Sequence, residues 1–118
     1  MELGGLRTAY QLRTSALIEL KEFDKAIASA QQVLDINDAL LRVNPANAGA
    51  RRNQAVVYAQ LAKVSTSRGD WRKGRAFFVQ ARDIYLEQEK NGTLIPSYRA
   101  RFASVTAAIA KCDEKLRK

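Results

Sequence analysis

The chain has 118 residues, 47% of them hydrophobic and 27% charged, with a formal net charge of +8. That length and composition describe one soluble globular domain and exclude a fibrous or disordered chain. Histidine is absent and Cys112 is the only cysteine, which excludes the serine and cysteine triads, most zinc sites and an internal disulfide.

The glycines match neither nucleotide-binding spacing, and no stretch approaches the roughly 20 apolar residues that span a bilayer. Met1–Gly5 has neither the basic start nor the apolar run of a secretion leader, so the expected location is the cytoplasm. A reducing compartment suits a lone Cys112 serving as a small helix-face residue. The carboxylate pairs Asp35/Asp38 and Glu87/Glu89 read as solvated helix faces, because no other hard ligands converge on them. The expectation is a protein with no catalytic residues, no cofactor and no metal.

Apolar residues recur at three- and four-residue steps nearly throughout, and no segment alternates long enough to make a strand, so the expected fold is all-α. The first helix runs from about Leu6 to Leu20, with Leu6, Tyr10, Leu17 and Leu20 on one side, and stops at Lys21-Glu22-Phe23-Asp24. The second carries Ala26, Ile27, Ala30, Val33, Leu34, Leu40 and Leu41 up to Asn44-Pro45, where proline disfavours helix in the residue before it. Asn47 caps the third, which continues through Val56, Tyr58, Leu61 and Val64 to Arg68-Gly69. Asp70 caps the fourth, which starts at Trp71, buries Phe77, Phe78, Ala81, Ile84 and Tyr85, and ends at Asn91-Gly92. Ser97 caps the fifth, where Tyr98, Phe102, Val105, Ile109, Cys112 and Leu116 form a stripe that wants a partner surface. Connections this short make neighbouring helices antiparallel.

Sliding the sequence on itself by 48 residues brings Tyr10 onto Tyr58, Phe23 onto Trp71 and Ala26 onto Gly74. In each copy an aromatic residue wedges between two helices, and a small residue three positions later lets their backbones approach. The chain therefore divides into hairpins at about 6–44 and 46–91 and a last helix at about 97–117, within a single domain spanning 1–118.

This pattern resembles the tetratricopeptide repeat. The second copy supplies Tyr58, Leu61-Ala62, Gly69-Asp70-Trp71, Gly74 and Phe78 at that family's spacings. The first supplies Tyr10, Leu17, Phe23 and Ala26, and its Leu41-Arg42-Val43-Asn44-Pro45 looks like the usual ending before a next repeat. Arg13-Thr14, Ala30 and Ser65 depart from the pattern. The family repeats every 34 residues, against 48 from Tyr10 to Tyr58. The excess falls equally before and after Pro45, so the second and third helices each gain two turns, about 10 Å of length. Those turns are expected to lie side by side and bury each other. The stretch from Gly69-Asp70-Trp71 to Ala110-Lys111-Cys112-Asp113 also resembles the C-terminal repeats of some bacterial serine/threonine kinases and transcriptional regulators.

The resemblance implies an α-α superhelix of two elongated hairpins with a C-terminal capping helix, serving as a protein-interaction scaffold within a larger protein. It implies binding on the concave surface lined by the first helix of each pair. There the third helix offers Arg52, Val56, Ala59, Gln60 and Lys63, and the first offers Gln11, Ser15 and Ile18. Lys63, Asn53 and Arg52 supply the residue types with which some family members grip a terminal carboxylate.

The net charge of +8, with clusters at Arg51-Arg52, Arg68 with Arg72-Lys73-Arg75, and Arg99 with Arg101, points to an acidic protein or peptide partner. Nucleic acid is the alternative. Against it, the basic residues are scattered over several helices, and the aromatics read as core wedges that leave no stacking platform. About three repeats usually make a stable array. Either the fifth helix completes the core, the chain is part of a longer protein, or two copies pair as a homodimer.

Overall fold

A computed structural model describes residues 3–118; Met1 and Glu2, at the head of the Met1–Gly5 stretch, lie outside them. The described residues are all-α: α1 (Leu3–Glu19), α2 (Phe23–Val43), α3 (Ala48–Ser67), α4 (Trp71–Asn91) and α5 (Arg99–Leu116), with a 3-10 turn at Pro96–Tyr98. Each helix packs on its neighbour in the chain, and α1 also reaches α3. The body measures 45 × 34 × 22 Å, and its thinnest dimension holds about two helix diameters. Among the described residues, no helix is long and apolar enough to cross a membrane.

Both ends of α3 and of α4 follow the capping chemistry. Asn47 accepts a hydrogen bond from the Ala50 N–H at 3.0 Å, and Asp70 accepts one from Lys73 at 3.1 Å. Each satisfies a donor that the first helical turn leaves without a partner. Gly69 and Gly92 take left-handed φ values of 83° and 75° just past α3 and α4. At the latter, the Thr93 and Leu94 N–H groups both turn back to the Gln88 carbonyl.

Three expectations need correction. Ser97 is not a helix cap, because it sits inside the Pro96–Tyr98 turn that feeds straight into α5. Leu20 is 68% exposed rather than part of the apolar side of α1. That helix closes at Glu19, and Lys21 takes φ 59°, letting the Glu22 N–H reach the Leu17 carbonyl and swinging Leu20 outward. The two-turn extension is also only partly buried: Leu40 and Leu41 are half-buried and Val43 is exposed. The first turns of α3 are instead held by α4, whose Gln88 side chain donates to the Ala48 carbonyl at 3.0 Å.

The core is divided by α3. Its Val57 packs with Ala30 and Val33 of α2 under Tyr10, while Val64 packs with Leu17 and Ala26 beside Phe23. Its Ala55 and Ala62 join Phe78, Ala81, Ile84 and Tyr85 of α4 and Val105, Ile109 and Cys112 of α5. Phe23 and Trp71 are both half-buried at the hairpin turns, next to the buried Ala26 and Gly74. The departure at Thr14 also has a physical reason. The Thr14 and Ser29 hydroxyls lie 2.8 Å apart and both reach the Tyr10 carbonyl, so a polar lock joins α1 to α2 where a larger apolar residue would otherwise pack.

A side chain at Gly74 has no room: its Cβ would lie 2.5 Å from Thr66 Cγ2 and 3.3 Å from the Ala62 carbonyl oxygen. Thr66 is β-branched and cannot swing aside freely. Gly74→Ala is therefore expected to destabilise the fold by about 1–2 kcal/mol in urea unfolding, despite alanine's better helix propensity. Adding Thr66→Ala is expected to recover most of that loss.

Candidate functional site: the face formed by α1, α3 and α5

A groove of about 240 Å³ lies between α3 and α5. Val56 and Ala59 of α3 meet Val105 of α5 along it, with Phe78 and Tyr85 of α4 beneath and Lys63, Arg101 and Ser104 at its edges. Helical spacing explains the α3 contribution, since Val56, Ala59 and Lys63 follow at three- and four-residue steps.

Of the residues expected to bind, Val56 is buried in this groove, and Lys63 stands exposed on its rim. Gln11, Ser15 and Gln60 come together, but on each other. The Gln60 amide donates to Ser15 Oγ at 2.9 Å and to the Gln11 carbonyl at 3.3 Å, so this buried side chain ties α1 to α3. Arg52 and Asn53 do not join Lys63 in a three-residue grip. Lys63 is 11 residues beyond Arg52 in α3, which sets their backbones about 16 Å apart along the axis. Asn53 donates to the Gly49 carbonyl of its own helix at 2.9 Å.

Arg52 is committed elsewhere. It donates to the Thr93 carbonyl at 3.1 Å, and its guanidinium carbon lies 5.7 Å from the centre of the Tyr98 ring. The Arg101 guanidinium carbon lies 5.5 Å from that same ring. Sequence reasoning gave Arg101 only to a basic cluster with Arg99 and Tyr98 only to the core stripe. The contact arises because the connection from α4 to α5 passes over Arg52 near the start of α3, which no local pattern announces.

The acidic residues, though not the basic ones, are segregated by helix. α3 has no acidic residue, α1 has none before Glu19, and α5 has none before Asp113. By contrast α2 carries Asp24, Asp35 and Asp38, and α4 carries Asp83, Glu87 and Glu89. Arg52, Lys63 and Arg101 have no carboxylate within 4 Å among the described residues, whereas Arg51, Arg75 and Arg99 are paired with Glu87, Asp113 and Glu89. Burial holds the Arg7 guanidinium below its ordinary value, and Tyr98 acts in the opposite sense. Burial, reinforced by the adjacent Asp113, pushes the Cys112 thiol up, which suits a core residue rather than a nucleophile.

No known family model, curated protein or solved structure matches this chain.

Tyr85 lies between the groove and the Tyr98 and Phe102 rings, whose centres are 6.4 and 5.8 Å away. Burial pushes its hydroxyl up to about 12, with Arg101 opposing and Tyr98 reinforcing the rise. Between pH 10 and 12 the unfolded chain releases this proton before the native one does, so stability falls as pH rises through that window. The absorbance titration difference between the wild type and Tyr85→Phe is expected to show a step near pH 12; a step near pH 10 would contradict the burial.

Proposed function

We propose that this chain is a tetratricopeptide-like scaffold that binds an acidic protein or peptide segment on the face of α1, α3 and α5. The carrying observation is the segregation of the acidic residues. A groove with an apolar floor runs between two helices whose facing portions hold cations and no carboxylate, while the acidic residues lie on α2, α4 and the helix ends. Such a surface attracts and orients a negatively charged partner before close contact forms. The apolar floor contributes affinity, and Lys63 and Arg101 set the preference for acidic groups.

The sequential packing of antiparallel helices, the aromatic wedges Phe23 and Trp71 and the close approach at Gly74 support the tetratricopeptide-like reading. In that reading the hairpins begin an α-α superhelix, α5 caps it, and the chain works as a non-enzymatic part of a larger cytoplasmic bacterial protein.

The high net charge keeps nucleic acid as the alternative. Against it, no aromatic side chain among the described residues is exposed, so none offers a stacking platform.

A fluorescent peptide alternating Glu and Leu is expected to bind the wild type and to bind Lys63→Glu about tenfold more weakly, with unchanged helicity. Equal affinity for the two proteins would sink the groove assignment. Binding to unrelated duplex DNA that weakens by orders of magnitude between about 50 and 200 mM salt would favour the nucleic-acid reading instead.

A further inference from the structure

The ring of Tyr98 gathers guanidinium groups from two different helices, and a third lies in its electrostatic reach. Arg52 of α3 and Arg101 of α5 stand 5.7 and 5.5 Å from its centre. Arg7 of α1 lies close enough to feel the Tyr98 hydroxyl electrostatically. None of the three has a carboxylate within 4 Å among the described residues, although six other basic side chains of the chain do.

Their existing contacts are neutral and serve to hold them still. Arg7 donates from Nη1 to the fully buried Asn37 at 3.2 Å, and Arg52 donates from Nη1 to the Thr93 carbonyl. Arg7 Nε is buried with no acceptor among the described residues, and one turn further along α1 Gln11 Nε2 is a second buried donor in the same condition. A partly buried guanidinium without a counter-ion is costly. Half-buried Arg52 and exposed Arg101 on one ring, with half-buried Arg7 and its unpaired Nε nearby, make a region rich in positive charge and without a carboxylate within 4 Å among the described residues.

We infer that Arg7, Arg52 and Arg101 around Tyr98 form an oxyanion subsite that receives a phosphoryl group carried by a side chain of the segment bound in the groove. The inference rests on the groove reading above and deepens it by naming the chemistry of one group in the partner. A carboxylate brings a single charge and two oxygens. A phosphoryl group brings a charge of about −1.5 to −2 and three strong acceptor oxygens, a closer match to three guanidiniums. Guanidinium groups suit it better than lysines because their planar forks donate in pairs.

The test uses inorganic phosphate as the probe, with acetate as the carboxylate control, both titrated at constant ionic strength into the isotope-labelled chain. The expected result is saturable movement of the Arg7, Arg52 and Arg101 Nε–H and Tyr98 signals with phosphate and not with acetate. Arg52→Gln and Arg101→Gln should each weaken phosphate binding at least fivefold, while Arg13→Gln, on the exposed side of α1, should leave it unchanged. Phosphorylating one serine added to the Glu/Leu peptide should then tighten its binding about tenfold.

Equal response to acetate, or equal drift of every surface arginine, would overturn the subsite. So would displacement of the phosphopeptide by unrelated duplex DNA, which would assign the phosphate to nucleic acid. An unphosphorylated peptide that binds and loses affinity in Lys63→Glu, with no gain from phosphorylation, would overturn this subsite and leave the groove reading standing.

Discussion

Everything in this fold depends on α3 being buried from two directions. One side gives Val57 and Val64 to the hairpin of α1 and α2, and the other gives Ala55 and Ala62 to α4 and α5. The residues differ because the distances differ. Fully buried alanines and Gly74 bring α3 and α4 into backbone contact, while valines fill the wider gap towards α2. Because neither hairpin has a large core of its own, losing this shared wall would expose both. The fifth helix then closes the outer side of α4 through Val105, Ile109 and Cys112.

A helix buried on two sides has only a narrow strip left for solvent, and on α3 that strip carries Lys63. Lys63 and Arg52 lie on it or beside it, α5 adds Arg101 across the groove, and α1 adds Arg7 at one end. The acidic residues that would neutralise them sit on α2 and on the solvent-exposed strip of α4. The cationic face is thus retained at an electrostatic cost that packing does not require, which is why it is read as a binding surface. Gln60 contributes by fixing α1 against α3, so the face is rigid before any partner arrives.

Much of this was legible in the residues. The caps at Asn47 and Asp70 and the glycine ends at Gly69 and Gly92 are local chemistry, so the boundaries of α3 and α4 could be argued from a few positions each. The pairing of Phe23 with Ala26 and of Trp71 with Gly74 announced the hairpins. What was not legible depended on which helices meet at a distance. Arg52 looked like a free groove residue because nothing nearby in sequence shows that Thr93 and Tyr98 fold over it. Gln60 looked exposed by helical phase, yet α1 covers it. Thr14 looked like a defect in the repeat until Ser29 supplied its partner from another helix. Leu20 shows the reverse error, an apolar residue assigned to the buried side of α1 that is 68% exposed.

The central claim is that recognition uses the face of α1, α3 and α5 and not α2 or the outer side of α4. It is tested most directly by mapping amide shifts of the labelled chain while a short acidic peptide is added. The account predicts movement concentrated at Val56, Ala59, Lys63, Arg101 and Ser104, with Asp35 of α2 and Leu86 of α4 unmoved. Shifts centred on α2 or α4, or no saturable shift at any residue, would contradict it.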